Sequence, residues 1–174
     1  MAVTNYLLAG FGGQGVLFAG KFLANLGLIE GKYVSWLPSY GPEMRGGTCN
    51  CSVVVSDEPV GSPVVSAPDV LMVLNLPSLD KFENTVRAGG TIYMDTSFIE
   101  RKPVRKDVKV VALKAAKEAS ENGMLGLANM ILLGKLLADT AQTSINKALE
   151  ESISAKRTDM LALNLKALAK GKSL

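Results

Sequence analysis

The stretch YLLAGFGGQGVLFAG, residues 6–20, sets Gly10, Gly12 and Gly15 at the spacing G-x-G-x-x-G, with Gly13 and Gln14 between the last two. Glycines at this spacing between a strand and a helix let backbone N–H groups close on a phosphate at the positive end of the helix. Binding a phosphate or another anion is therefore chemistry these residues could do. A dinucleotide site needs one thing more, a carboxylate about 20 residues on, at the end of the second strand, to bind the ribose. The corresponding stretch here is YVSWLPSYG, which has no carboxylate, and Glu30 comes before that strand. The same glycines would also serve a tight strand-to-helix crossing with no ligand, and from the residues alone both uses stay open.

A second constellation lies in PSYGPEMRGGTCNCSVVVSDEPVGSP, residues 38–63. A loop rich in Pro and Gly carries Tyr40, Glu43, Met44 and Arg45 in close succession. An arginine there can offer a planar fork to a phosphate or carboxylate, and Pro42 with Gly46 and Gly47 could hold it in place. An ordered surface loop with Glu43 and Arg45 paired locally fits the spacing equally well. Cys49 and Cys51 share one face of the strand that follows with Val53 and Val55, so they read as small buried hydrophobes, not as a metal pair or a disulfide. Iron–sulfur clusters take about four thiolates, and the chain has 2 cysteines. It has 0 histidines, which removes the commonest general base and any Ser-His or Cys-His pair. A self-sufficient catalyst is not expected.

Placing these residues takes a fold of ordinary size. The 174 residues fit a single domain over 1–174, and with 48% hydrophobic residues the chain can bury a core without disulfides or metals. Lys and Arg exceed Asp and Glu by 19 to 16, a net charge of +3. These charges are scattered as on solvated helix faces, which argues against nucleic acid. The first residues lack a basic n-region, so no signal peptide is expected. The segment MLGLANMILLGKLLAD is broken by Asn129 and Lys135 and reads as a buried helix, short of the roughly 20 apolar residues of a membrane span. A reduced, cytoplasmic protein is the expectation.

Strand-like runs fall at 5–9, 33–37, 48–55, 70–74, 91–95 and 108–113, each bounded by turn-forming residues. Helices are expected over 14–27, from 77 or 78 to 87 with Gly89 and Gly90 ending it, and over 115–121, 125–139, 144–156 and 159–170. Residues 71–74 are continuously apolar, as in a strand covered on both faces. The alternating order predicts a three-layer α/β/α domain, a Rossmann-like, mostly parallel sheet followed by C-terminal helices.

At GFGGQGV and SYGPEMRGGTCNCSVVVSDEPVGSP, and on through APDVLMVLN, AGGTIYMDTS and GLANMILLGKLL, the sequence resembles the gamma subunit of the 2-oxoacid:ferredoxin oxidoreductases, which act on pyruvate, 2-oxoglutarate or branched 2-oxoacids. Asn129 and Gly134 stand where that family has its own Asn and Gly. The resemblance implies a Rossmann-like subunit packed against an alpha chain, not a whole enzyme. It implies alpha and beta chains holding thiamine diphosphate with Mg, and a delta chain or domain with iron–sulfur clusters. The complex would form acyl-coenzyme A and reduced ferredoxin, with no cofactor on this chain. It implies that the glycine turn, Gly10, Gly12, Gly13, Gln14 and Gly15, serves coenzyme A or subunit packing, and that Tyr40, Glu43 and Arg45 face the alpha subunit and the coenzyme A approach. Two other readings remain: a stand-alone nucleotide-binding protein, and the related indolepyruvate oxidoreductase beta chain.

Overall fold

The computed structural model describes residues 2–39, 48–139 and 141–174. The strands are β1 (Val3–Phe11), β2 (Tyr33–Ser39), β3 (Thr48–Ser56), β4 (Val70–Val73), β5 (Thr91–Asp95) and β6 (Lys109–Leu113). The helices are α1 (Val16–Ile29), α2 (Leu76–Phe82), α3 (Ala115–Glu121), α4 (Ala128–Leu136), α5 (Gln142–Ser152) and α6 (Thr158–Ser173). The strands form one sheet in the order β2-β3-β1-β4-β5-β6. Here β1, β4, β5 and β6 run parallel, while β3 is antiparallel to both β1 and β2.

Alternation of side chains along each strand separates two cores. On one face Leu8, Cys51, Val53 and Met72 meet α1 and α4, and on the other Leu7, Ala9, Leu71 and Ile92 meet Leu79 and Val86. The three β4 residues Leu71, Met72 and Val73 are all buried, which is why that strand reads as an unbroken apolar run. Helix α1 buries Phe22, Leu23 and Leu26, each contributing about 1.5–3 kcal/mol of apolar burial. Helices α5 and α6 pack on α1 and α4 instead of on the sheet, so the C-terminal part adds an outer helical tier on that side.

Helix ends differ from the sequence expectation for local reasons. Helix α1 begins at Val16, two residues after the expected 14, because Gly15 is left-handed at φ 73 and serves as N-cap. Helix α4 begins at Ala128, not at 125, since Gly126 has φ 84. Helix α2 stops at Phe82 and tightens into a 3-10 turn over Glu83–Thr85, well short of residue 87. The Thr85 hydroxyl donates to Phe82 O at 2.7 Å there, and the buried Glu83 turns toward Arg101.

Candidate functional site at the turn between β1 and α1

The glycine turn connects the C-terminal end of β1 to the start of α1, and the side chain of Gln14 organises it. Its Oε1 accepts from Phe11 N at 2.7 Å and from Asn75 Nδ2 at 3.3 Å, while its Nε2 donates to Leu74 O at 3.2 Å. The Gln14 amide thus spans the carboxyl ends of β1 and β4 and satisfies backbone groups that the ending strands leave open. Gly10 makes room for it, since a Cβ there would stand 2.7 Å from Gln14 Oε1. Asn75 is shared, because its Oδ1 also accepts from Ser78 N at 2.9 Å as the N-cap of α2.

Gly15 is gripped from the other side. Asn129, the second residue of α4, donates from Nδ2 to Gly15 O at 3.0 Å across 114 residues of chain. A Cβ on Gly15 would lie 2.4 Å from that nitrogen. Asn129 is 3% exposed, and its Oδ1 has no partner among the described residues. A buried acceptor left unpaired costs about 1–3 kcal/mol, so this atom calls for a physical account.

The start of α1 remains open. No side chain caps it and its first turn holds no acidic residue, so its leading N–H groups keep their capacity to bind an anion. Gly12, Gly13 and Gly15 border an opening there, with Phe11, Phe18 and Cys49. A second, larger cavity of about 360 Å³ lies alongside, between the turn and α4 and α6, and includes Asn129, Arg157 and Asn164.

Tyr40, Glu43, Met44 and Arg45 lie outside the described residues. The residues on either side, Ser39 and Thr48, sit at the same end of the sheet as the turn, with Thr48 directly beside Phe11. The structure therefore brings Gly10, Gly12, Gly13, Gln14 and Gly15 together with Asn75 and Asn129. Asn75 carried no signal in the sequence. Asn129 did, as an amide inside an otherwise apolar helix.

The sheet order bears on the dinucleotide reading. In a dinucleotide fold the second strand lies next to the first, so its terminal carboxylate reaches the ribose. Here the antiparallel β3 is inserted between β1 and β2. That places the end of β2 two strand spacings from the turn, roughly 10 Å. Both the missing carboxylate and this insertion weigh against nicotinamide nucleotides.

Among the described residues no group of three or more His, Cys, Asp or Glu could hold a metal ion. Cys49 and Cys51 are free and buried. Burial pushes the Cys51 thiol up to about 12 from its ordinary 9.0, a bond from Trp36 opposing this only in part, and burial also raises Cys49. At pH 8 a thiol of that pKa is ionised to about one part in 10⁴, so an aromatic disulfide reagent should leave Cys51 untouched in the folded chain and label it after denaturation. Rapid labelling under native conditions would show the strand to be open. The same shift has a sign for stability: the folded chain keeps a proton that the unfolded thiol loses above its ordinary pKa. Its stabilisation is complete below pH 9 and falls as pH rises toward about 12.

The geometry defines an α/β domain with an uncapped glycine turn at the carboxyl end of its first strand, braced by Gln14 and Asn129. Comparison with known proteins narrows this. The chain matches the family described as pyruvate ferredoxin/flavodoxin oxidoreductase over residues 5–174, and it belongs to that family. The 2-oxoglutarate synthase subunit KorC of Methanocaldococcus jannaschii is 35% identical over 94% of this chain and 89% of its own length. The ketoisovalerate oxidoreductase subunit VorA of Methanothermobacter marburgensis is 41% identical over 94% of this chain but only 35% of its own length, so the chain spans about a third of that relative. Among solved structures, the keto/oxoacid ferredoxin oxidoreductase gamma subunit from Geobacter sulfurreducens superposes with a TM-score of 0.85 at 26% identity, covering 99% of this chain and 96% of that one. No helix of the described residues is long and apolar enough to cross a membrane.

Proposed function

We propose that this chain is the gamma-type component of a cytoplasmic 2-oxoacid:ferredoxin oxidoreductase. The complex would convert a 2-oxoacid and coenzyme A, with two oxidised ferredoxins, to an acyl-coenzyme A, CO2, a proton and two reduced ferredoxins. The observation that carries the reading is the open start of α1 behind Gly12, Gly13 and Gly15, in a family member with 2 cysteines and 0 histidines. Such a chain can hold a phosphate-rich cosubstrate but offers nothing for decarboxylation or electron storage. Thiamine diphosphate, Mg and the iron–sulfur clusters would sit on alpha, beta and delta partners, and their chemistry would be supplied there.

Within the complex the turn would receive the phosphates of coenzyme A. Gln14 and Asn129 would hold the turn rigid, so that its N–H groups are already oriented when the ligand arrives. Apolar side chains exposed at that end of the sheet, among them Phe11, Leu76, Phe98 and Leu125, support a surface that is covered by a partner chain. Tyr40, Glu43 and Arg45 would meet the alpha subunit or the coenzyme A approach.

Arg45 provides the test. The Arg45→Ala chain should melt within roughly 1 kcal/mol of the parent. In the reconstituted complex it should raise the KM for coenzyme A or stop co-elution with the alpha chain. Normal assembly with parental turnover and unchanged coenzyme A dependence would remove this loop from the function. Ferredoxin reduction by the parent chain alone would overturn the subunit reading as a whole.

A further inference from the structure

The basic residues, expected to be scattered, are concentrated at one edge of the sheet. Residues 101–117 hold seven Lys and Arg against one acidic residue, Asp107, which is six charges to the positive in a chain whose net is +3, so the remainder is net negative. Three of the seven are engaged within the molecule: Arg101 pairs with Asp80 and Glu83, Arg105 with Asp107, and Lys117 with Glu121. Lys102, Lys106, Lys109 and Lys114 are exposed and make no ion pair among the described residues. The loop that carries the first two is held in place. Glu83, 4% exposed, accepts from Arg101 Nη2 at 2.6 Å and from Val104 N at 3.0 Å, and Arg105 Nη1 donates to Val86 O at 2.9 Å. Its lysines are therefore presented without further ordering.

Beside this loop runs β6, the last strand of the sheet, paired only with β5 among the described residues. Lys109 N donates to Gly90 O at 2.8 Å and Leu113 O accepts from Thr96 N at 2.7 Å, so residues 109, 111 and 113 turn their backbone groups toward β5. The N–H and C=O of Val110 and Ala112 then face the open edge. Their side chains border a cavity of about 560 Å³ with Met94 and Ile99, and Val110 is 40% exposed. An edge flanked by lysines resists pairing with a second copy of itself, where like charges would meet, and admits a strand that carries carboxylates.

We propose that the β6 edge and the basic loop 101–106 form a docking surface for an acidic protein partner, an extended segment of which adds to the sheet next to β6. Main-chain bonds to Val110 and Ala112 fix its register, an apolar side chain enters the cavity, and its carboxylates meet the four lysines. The surface lies three strand spacings from β1, so it is independent of the coenzyme A reading.

Titration of the full chain with a synthetic peptide of alternating Glu and Val, followed by amide NMR, tests this. The Val110 and Ala112 amides should shift and exchange more slowly with solvent, and binding should weaken as salt is added. Combining Lys109→Glu with Lys114→Glu changes only exposed side chains and should weaken the peptide by about tenfold or more. Val110→Pro removes one outward N–H, leaves the pairing with β5 in place and should also weaken it. If that variant does not fold, the charge reversal decides. A peptide of alternating Lys and Val should not bind. Unmoved Val110 and Ala112 amides, or equal binding of the two peptides, would overturn the proposal. Equally tight binding of duplex DNA would overturn it in favour of a general polyanion surface, and self-association of the parent through these amides would give the edge to a second copy instead.

Discussion

Replacing either Gly134 or Gly171 with alanine should cost about 3 kcal/mol or more and lower the Tm by roughly 6–12 °C for a chain of this size. The reason is a backbone-to-backbone crossing of α4 and α6. A Cβ on Gly134 would stand 2.1 Å from Leu168 O, and one on Gly171 would stand 1.9 Å from Ile131 O. Those oxygens belong to helical backbone, so neither can turn aside as the end of a long side chain could. The helices would have to separate, and the surrounding core of Ile131, Met130, Leu168 and Ala167 would loosen with them. Gly61→Ala is the control, since its Cβ would meet nothing within 4 Å. It should change the melting temperature little. Thermal unfolding of the three variants gives the comparison, and two seam variants as stable as the control would show that the helices do not meet this closely.

Gly15→Ala should be the most damaging change within the turn itself. The backbone there is left-handed at φ 73, a conformation that costs an alanine about 1–2 kcal/mol. Its Cβ would also displace Asn129 and break the 3.0 Å bond to Gly15 O, which contributes about 1 kcal/mol more. Gly13→Ala separates the two contributions. Gly13 has φ 92 but open space around its would-be Cβ, so only the conformational cost applies. Gly15→Ala should therefore be the less stable of the pair and should lose the anion affinity of the α1 start by at least about tenfold, measured by titration with coenzyme A. Equal stability of the two variants would mean that Asn129 does not hold the turn.

These two sites differ in how far the sequence announced them. Gly15 stands in a recognisable spacing, and its need for a left-handed backbone follows from the strand-to-helix turn. Gly134 sits in an apolar helix, where nothing local says that another helix crosses at backbone contact. Its partner Gly171 is 37 residues away by subtraction of the two positions. Similarly, Gln14 looked like one member of the motif, yet its role comes from Leu74 and Asn75, which only the pairing of β1 with β4 brings near. Tyr40, Glu43 and Arg45 lie outside the described residues, so their part rests on the family and on the experiment above.

By itself the sequence determined the kind and order of the elements. Period-two apolar runs, the spacing of helix faces and the glycine turn are local signals, and strand β5 and helix α3 fall at 91–95 and 115–121 as expected from them. Composition also determined what the chain lacks, since 2 cysteines and 0 histidines do not depend on folding. Tertiary structure alone decided that β3 enters the sheet antiparallel between β1 and β2, because strand order depends on which edges pair across long loops, not on the pattern within a strand. It alone decided that Asn129 and Asn164 share one cavity with Arg157. Hydrogen-bond satisfaction is a property of neighbours in space, and an asparagine in a sequence does not show whether its oxygen will find a donor.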